Sequence, residues 1–335
     1  MKAVTFEQPG NPADVLAVRD VEPPRPAPGQ VRVRMIASPV NPSDLLYIAG
    51  HYGLKPQLPA TPGFEGVGIV EESGGGLLGW LRKGKRVVVI NDRAGNWREQ
   101  TVVAARQVVP VPASLADEQA ASFFVNPATA LVLTRNILCI RRGEWLLQSA
   151  AGGALGKMMV RLGRRDGFRT INVVRRPEQL DELKALGADS VLCEADGPLP
   201  EQVLRVTDGQ GVRCAIDPVG GPTGSAVVAC LAPGGHAVLY GLLSGQPISV
   251  DPRLLITGSK RVEGFWLTDW VKRQGVLTML RLFGSVTRLM KEKVLSTDAG
   301  ASFPLERVTD AVREASRPGK GGKVLLRIDG RRGGS

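Results

Sequence analysis

Three small residues and a pair of arginines have the spacing of a dinucleotide site. Ala151, Gly153 and Gly156 follow a short apolar run as A-x-G-x-x-G, and small side chains there let the backbone turn tightly and approach a pyrophosphate. Arg175 and Arg176 stand about 20 residues further on, where an acid binds a ribose 2′-hydroxyl and an arginine binds a 2′-phosphate. Because no acid stands there, the pair favours NADPH. A glycine-rich surface turn with two solvated arginines is the alternative.

A strand, a turn, a helix and a second strand would hold these residues in place. Residues 155–162 carry apolar side chains at i, i+3, i+4 and i+7, which predicts an amphipathic helix that starts at the glycine turn. The free N–H groups and the positive dipole end of such a helix favour a phosphate. Gly167 would end the helix, and the β-branched residues 170–174 predict the next strand.

The composition indicates a two-domain protein without a membrane-spanning segment. The chain has 335 residues, of which 43% are apolar, and this is enough for two domains with cores of their own. No apolar run approaches the roughly 18 residues that a membrane helix needs. Residues 1–6 begin a strand-like pattern without a leader segment, so we expect a cytoplasmic protein and no membrane partner.

Charge and cysteine content narrow the function classes. The net charge of +11 invites a nucleic-acid partner, but the basic residues are spread along the chain and only 5% of residues are aromatic. We therefore expect no nucleic-acid partner. A polyphosphate cofactor and an anionic substrate such as an acyl-CoA explain the excess of positive charge better. An effect of the charge on solubility is the alternative. The four cysteines are scattered without a C-x-x-C pair, which argues against structural zinc and disulfides.

Changes of pattern along the chain predict two domains. Residues 1–125 contain short β-like runs separated by glycine clusters, which predicts a β-barrel-like domain. Residues 126–267 alternate strands and helices and predict an α/β domain with a doubly wound parallel sheet. Within it we expect a turn at Pro233-Gly234-Gly235 before a strand His236–Tyr240. The chain from about residue 268 to residue 335 would return to the first domain.

Motifs spread over most of residues 31–330 resemble those of one superfamily. They are N-P-S-D with G-x-Y-G (Asn41–Gly53), P-G-F-E-G-V (Pro62–Val67), V-N-P-x-T-A (Val125–Ala130), I-N-V-V-R (Ile171–Arg175), Y-G (Tyr240-Gly241) and G-F-W-L-x-x-W (Gly264–Trp270). Together with the order of the domains, they resemble the medium-chain dehydrogenase/reductase superfamily. Within it, the chain looks like the zinc-free 2-enoyl thioester reductases of mitochondrial fatty-acid synthesis and their bacterial relatives, with quinone oxidoreductases as the next branch.

The resemblance implies a fold and a cofactor site. The fold would be a GroES-like β-barrel catalytic domain joined to a doubly wound Rossmann domain that binds NADPH, and the molecule would be a homodimer. The residues that would contact the cofactor are Asn126, Ala151, Gly152, Gly153, Ala154, Leu155, Gly156, Arg175, Arg176, Tyr240, Gly241, Phe265, Trp266, Leu267 and Lys323. Phe265 and Trp266 could instead belong to a core, and Lys323 could be a solvated lysine.

The resemblance also implies metal-free chemistry at a tyrosine. Phe64 stands where zinc-dependent members carry a ligating histidine, and residues 37–44 supply no cysteine, so we expect no metal. Tyr52 maps onto the tyrosine of G-x-Y-G that acts near the substrate carbonyl, with a residue at the rim of the site as the alternative. Asn41 and Trp270 would contact the substrate.

Three functions remain open. The first is NADPH-dependent reduction of the C=C bond of 2-enoyl thioesters, because the enolate left by hydride transfer needs a hydrogen-bond donor and then a proton. The second is reduction of a quinone, or of an enone or alkenal. The third is a non-catalytic NADPH-binding sensor. Tyr52 and residues 264–270 favour the first function.

Overall fold

The computed structural model describes residues 1–319 and 321–329, which form two compact units. One unit comprises Met1–Val125 and the described residues from Thr297 onward, and the other is the continuous stretch Asn126–Ser296. Among the described residues, no helix combines the length and the apolar character that crossing a membrane requires.

Strands and helices alternate along most of the chain. The strands are β1 (Lys2–Thr5), β2 (Ala17–Asp20), β3 (Gln30–Pro39), β4 (Glu65–Ser73), β5 (Arg86–Ile90), β6 (Gln100–Ala104), β7 (Val108–Pro110), β8 (Trp145–Gln148), β9 (Arg169–Val174), β10 (Ser190–Cys193), β11 (Val212–Asp217), β12 (Leu231–Leu239), β13 (Arg261–Gly264), β14 (Ala299–Pro304) and β15 (Lys323–Arg327). The α-helices are α1 (Pro12–Val15), α2 (Pro42–Ile48), α3 (Leu77–Arg82), α4 (Asp117–Ala121), α5 (Val125–Val132), α6 (Ala154–Asp166), α7 (Leu180–Ala185), α8 (Leu199–Val206), α9 (Gly221–Ala229), α10 (Pro252–Gly258), α11 (Leu267–Lys272), α12 (Val276–Lys291) and α13 (Val308–Ser316). Short 3-10 turns lie at Ala105–Gln107, Pro177–Gln179, Glu194–Asp196 and Leu305–Arg307, and a π-helical turn at Leu133–Ile137.

The first unit is built on β-structure, as predicted. Strands β1 and β2 pair with each other, and the larger sheet has the order β14-β15-β3-β4-β5-β7, with β6 also paired to β3. In β3, Val31, Val33 and Met35 are buried while Arg32 and Arg34 are partly exposed, because successive side chains of a strand point to opposite faces. Strand β15 pairs with β14 in parallel and with the end of β3 antiparallel.

The second unit, of which every residue is described, holds a parallel sheet of six strands in the order β10-β9-β8-β11-β12-β13. Numbered from the first strand of this unit, the order is 3-2-1-4-5-6, which is that of a doubly wound dinucleotide-binding sheet. Leu147 and Ile171 of the central strands are fully buried and join a core with Val203 of α8 and Val227 of α9. The predicted α/β fold is confirmed.

Residues 268–296 belong to the second unit, which corrects the predicted return to the first domain near residue 268. Helix α12 buries Val286 and Leu289, and Arg165 of α6 forms an ion pair with Glu292 at 2.9 Å. The amphipathic pattern of α12 shows that the helix has a packing face, but it does not show which domain receives that face.

Strand β12 begins earlier than predicted. It pairs with β11 at Leu231 and again from His236 onward, with a shift of register between the two stretches. Pro233, Gly234 and Gly235 therefore mark an irregularity within the strand rather than a turn before it.

Candidate active site

The glycine turn after β8 lies in close contact with the first turn of α6. At Gly156, a Cβ atom would lie 2.3 Å from the carbonyl oxygen of Ala151 and 2.6 Å from its Cα. Any side chain there would push the helix away from the turn, so the site needs glycine. Ala151 is fully buried, and its N–H donates to the carbonyl of Val173 at 3.1 Å, which ties the turn to β9.

The start of α6 offers backbone donors at this turn. Gly153 is the N-cap and has no side chain to satisfy the first N–H groups, and those of Ala154 and Leu155 have no acceptor within the helix. The Leu155 side chain is buried, so only its backbone can meet a ligand. At Gly152, a Cβ would lie 2.1 Å from Nε2 of Gln179, so Gln179 packs on the turn. The arrangement fits a pyrophosphate.

The arginine pair lies directly after β9. Arg175 is exposed and Arg176 is half-buried. The ion pairs of the described residues include neither of them; the neighbouring pairs use Lys157 and Arg165 instead. Both guanidinium groups are therefore free to meet a 2′-phosphate.

The loop after β11 is held by a buried carboxylate. Asp217 is fully buried and accepts the N–H of Val219 at 3.1 Å, the N–H of Gly220 at 2.7 Å and the hydroxyl hydrogen of Ser149. Since Ser149 follows β8, this carboxylate joins the two loops at the carboxyl edge of the central strands. Doubly wound sheets bind their ligands at that edge.

The predicted cofactor residues after β12 lie next to this loop. The N–H of Tyr240 donates to the carbonyl of Asp217 at 3.0 Å, and a Cβ at Gly241 would lie 2.7 Å from the carbonyl oxygen of Pro218. Burial, with the charge of Asp217, raises the pKa of the Tyr240 phenol above its usual value. Tyr240 is therefore a neutral side chain at the edge of the sheet.

The residues after β13 are half-buried, so they do not belong to the core. Phe265 and Trp266 lead into α11, which begins at Leu267, and Trp270 lies one turn further on. The N–H of Phe265 donates to the β12 carbonyl that ends that strand, at 2.8 Å. Asn126, the second residue of α5, is also half-buried.

In the first unit, Tyr52 packs on Phe64. Their ring centroids are 5.1 Å apart and the ring planes meet at 49°. Tyr47 contacts the same ring edge-on at 5.5 Å, and both Tyr47 and Phe64 are buried. Tyr52 is half-buried in the bend after α2. Its ring is therefore held by packing while part of the side chain stays accessible.

A buried cluster of charged and polar side chains lies in the same unit. Asn41, Asp44, Glu65 and Lys323 are each exposed by 6% or less. The Asn41 amide nitrogen donates to Glu65 at 3.0 Å, and its amide oxygen accepts from the ammonium of Lys323. Asp44 accepts the backbone N–H of Asn41 at 2.8 Å and that of Phe64 at 3.1 Å. The cluster thus links α2, β4 and β15.

Burial shifts the pKa values of this cluster. Desolvation raises the pKa of Asp44 to about 7, and the charge of Glu65 adds to the shift, while backbone hydrogen bonds and Lys323 oppose it. Desolvation also raises the pKa of Glu65 and lowers that of Lys323. Two carboxyl groups share one ammonium, so the cluster is electrically neutral when one carboxyl holds a proton.

Glu65 also holds the end of the first unit. Its second carboxylate oxygen accepts the N–H of Phe124 at 2.8 Å and that of Val125 at 2.9 Å. These are the residues at which helix α5 begins, and a carboxylate is favoured at the N-terminus of a helix. Glu65 therefore sets the backbone immediately before Asn126.

Comparison with known proteins decides the family. Residues 27–113 match the alcohol dehydrogenase GroES-like domain, and residues 154–284 match the family described as zinc-binding dehydrogenase. The chain is 33% identical over 322 residues to the mitochondrial enoyl-[acyl-carrier-protein] reductase of Rattus norvegicus, across 95% of this chain and 86% of that one. The chain belongs to the medium-chain dehydrogenase/reductase superfamily. Its GroES-like unit and its Rossmann unit are the two domains expected of that superfamily.

Solved structures agree with this assignment. The quinone oxidoreductase of Thermus thermophilus, also solved in complex with NADPH, has a TM-score of 0.83 at 29% identity and covers 98% of this chain and 100% of its own. The quinone oxidoreductase of Escherichia coli complexed with NADPH has a TM-score of 0.90 at 25% identity, with the same coverage of both chains. The chain is an NAD(P)-dependent oxidoreductase of this superfamily.

In this oxidoreductase, the Phe64 side chain, expected from the resemblance to replace a zinc-ligating histidine, lies in the interior of the first unit. Its buried ring contacts Tyr52 and Tyr47. Over residues 1–319 and 321–329, no three His, Cys, Asp or Glu side chains converge as a metal-binding group.

Sequence reasoning missed the buried cluster of the oxidoreductase. Asp44 and Glu65 belong to the N-P-S-D and P-G-F-E-G-V motifs, but neither residue was given a role in the sequence analysis. Lys323 is not a solvated lysine, because it is 6% exposed and bound to Asn41. Asn41, expected at the substrate, has both ends of its amide engaged within the protein. The usable signal was the acid at the start of β4, since Glu65 directly precedes the apolar residues 66–70.

Proposed function

We propose that this oxidoreductase reduces the C=C bond of 2-enoyl thioesters, enoyl-CoA or enoyl-ACP, with NADPH. The observation that carries the proposal is the packing of Tyr52 on Phe64, with ring centroids 5.1 Å apart. The resemblance gives the position of Phe64 to a zinc-ligating histidine in metal-dependent members, so a phenol packed on this ring would be a hydrogen-bond donor that polarises the carbonyl in place of the metal. The name of the rat relative supports the same substrate class.

Features of the second unit support NADPH as the cofactor. Gly156 lets the helix approach the turn, because a Cβ there would lie 2.3 Å from a backbone oxygen, and the first N–H groups of α6 would hold the pyrophosphate. Arg175 and Arg176 would pair with the 2′-phosphate. The remaining residues of this unit proposed to contact NADPH are Asn126, Ala151, Gly152, Gly153, Ala154, Leu155, Tyr240, Gly241, Phe265, Trp266 and Leu267. Lys323 belongs to the first unit, where its ammonium donates to Asn41.

The chemistry assigns two tasks to Tyr52. When bound, NADPH supplies a hydride for the β-carbon of the enoyl group, which conjugation with the thioester activates. Negative charge then develops on the thioester oxygen, where the Tyr52 hydroxyl would donate a hydrogen bond. The enolate also needs a proton at its α-carbon, and a tyrosine hydroxyl, which keeps its proton at neutral pH, can supply it.

Quinone reduction is the second candidate. The solved neighbours from Thermus thermophilus and Escherichia coli are quinone oxidoreductases, and a quinone also accepts hydride without a metal. The product is a comparatively stable hydroquinone anion that solvent can protonate, so this reaction makes a smaller demand on Tyr52.

A substrate screen separates the candidates. Oxidation of NADPH would be followed with crotonyl-CoA, longer enoyl-CoA thioesters, enones and 1,4-quinones. We expect the highest kcat/KM with an enoyl thioester. A higher kcat/KM with a quinone would replace the proposal by the second candidate. NADPH binding without turnover of any acceptor would indicate a non-catalytic NADPH-binding sensor.

A further inference from the structure

Helix α3 of the first unit carries its apolar residues on the outside. Leu77 and Trp80 are 75% and 70% exposed, and Leu81 is 49% exposed. The buried residue of the helix is Gly79, where a Cβ would lie 2.4 Å from Oγ of Ser73, so the glycine side packs against the end of β4. At about 100° per residue, Leu77 and Leu81 lie opposite Gly79, and Leu78 and Trp80 lie on its two flanks. The helix therefore presents an apolar face to its surroundings.

Three exposed cations lie near this helix. Lys83 and Lys85 follow the helix and are exposed, and Arg106 lines a shallow cavity of about 270 Å³ together with Leu77 and Leu78. Residues 74–91 contain no acidic residue. In the described part of the chain, the nearest ion pairs use Arg32 and Arg86 and leave these three cations without a carboxylate partner.

We propose that this α3 surface, which consists of Leu77, Leu78, Trp80, Leu81, Lys83, Lys85 and Arg106, docks on an anionic lipid bilayer. A bilayer presents apolar chains beneath a layer of negative headgroups, and this order matches an exposed apolar helix with cations beside it. Tryptophan is favoured at such an interface because its ring is apolar while its N–H is polar.

The uniform sign of the charges favours lipid over a protein partner. Protein interfaces use complementary charges of both signs to set register, whereas the α3 surface offers cations alone. Docking of this kind needs no spanning helix, so the proposal departs from the expectation of no membrane partner, which rested on the lack of a long apolar run.

Vesicle cosedimentation tests the proposal. We expect the full chain to pellet with vesicles of phosphatidylcholine mixed with phosphatidylglycerol and much less with phosphatidylcholine alone. Binding should weaken when salt rises from about 0.05 to about 0.5 M. Leu77→Ser/Trp80→Ser should lower the partition coefficient roughly 10- to 100-fold, because it removes two apolar side chains from the interface. Lys83→Glu/Lys85→Glu should abolish the preference for anionic vesicles.

Val276→Ser/Leu277→Ser is the matched control. These two residues of α12 are 75% and 70% exposed, so the variant removes two apolar side chains of similar fractional exposure from the other unit and should bind vesicles as the parent does. Unchanged melting temperatures would show that all variants fold. Failure of the parent to pellet with anionic vesicles overturns the proposal, as does equal binding by Leu77→Ser/Trp80→Ser. Loss of self-association in that variant, without vesicle binding by the parent, would assign the surface to a second copy of this chain.

Discussion

At the scale of single residues, the hydroxyl of Tyr52 is the group on which the proposed reaction depends. Tyr52→Phe keeps the ring that packs on Phe64 at 5.1 Å and removes the donor. General-acid and oxyanion contributions are each typically about a hundredfold or more, so kcat for an enoyl thioester should fall roughly 100-fold or more. Quinone reduction should change by less than about tenfold, since solvent can protonate its product. NADPH binding should be preserved.

The control for this variant is Tyr47→Phe. Tyr47 contacts the same Phe64 ring but is buried in the core, so loss of its hydroxyl should leave kcat nearly unchanged. Parental rates of enoyl reduction in Tyr52→Phe would show that Tyr52 is a rim residue and would shift preference to the quinone reaction.

The arginine pair should decide the choice of cofactor. Charge-assisted hydrogen bonds to the 2′-phosphate contribute roughly 1.5–3 kcal/mol each, so NADPH should be strongly preferred over NADH. Arg175→Ser/Arg176→Ser should raise the KM for NADPH by about a decade or more and leave NADH kinetics nearly as they were. Arg205→Ser, which removes an exposed arginine of α8, should change neither. Equal use of NADPH and NADH by the unmodified protein would contradict this prediction.

Asp44 should make stability fall as pH rises. Its pKa in the folded state is raised to about 7, mainly by burial, whereas the pKa of an unfolded aspartate is about 3.9. Between these two pH values, Asp44 is protonated in the folded state and ionised in the unfolded state. Its contribution to the free energy of unfolding is therefore complete below about pH 4 and is lost as pH rises through about 7. The raised pKa of Glu65 also makes stability fall as pH rises. The lowered pKa of Lys323 makes stability increase with pH, at higher pH values.

Urea unfolding at a series of pH values measures this effect. Between about pH 5 and pH 8, the free energy of unfolding should fall more steeply in the parent than in Asp44→Asn, by something of the order of 1 kcal/mol. Asp310→Asn, at an exposed carboxylate of α13, should keep the parental slope. The same slope in Asp44→Asn and the parent would show that Asp44 does not hold the proton.

At the scale of elements, the close approach between α6 and the glycine turn can be tested directly. Gly156→Ala would place a Cβ 2.3 Å from the carbonyl oxygen of Ala151, and overpacking of this kind typically costs about 1–3 kcal/mol. We expect a lower melting temperature together with weaker NADPH binding by calorimetry.

Gly284→Ala provides the contrast for this substitution. Gly284 lies within α12, where a Cβ would meet nothing within 4 Å, so the change should stabilise the protein by roughly 0.5–1 kcal/mol through helix propensity. A Gly156→Ala protein with parental stability and NADPH affinity would mean that the turn can move apart at no cost.

The same elements show what a sequence can predict. The path from β8 through the turn to α6 and β9 was predicted because its signals are local: small residues at the turn, apolar residues at helical spacing, and β-branched residues in the next strand. The contact between Asn41 and Lys323 joins residues 282 positions apart, and no local pattern encodes it. Pro233 and the glycines after it were misjudged because turn residues also occur where a strand is irregular.

At the scale of the whole molecule, activity should not depend on a metal. Phe64 cannot replace the ligating histidine of zinc-dependent members, and residues 37–44 hold no cysteine. Purified protein should contain no stoichiometric zinc by elemental analysis, and treatment with a chelator should leave NADPH oxidation intact. About one zinc per chain, or loss of activity that zinc restores, would refute this prediction.

The position of β15 in the first unit has a consequence for synthesis on the ribosome. Residues 126–296 form a continuous unit that can fold as it leaves the exit tunnel, because domains generally fold as units during translation. The GroES-like unit begins earlier in the chain but needs residues 323–327, which pair with the end of β3. Until residues 323–327 have been synthesised, the carboxyl groups of Asp44 and Glu65 lack the charge of Lys323 beside them. The part of the protein that is translated first is therefore the part that matures last.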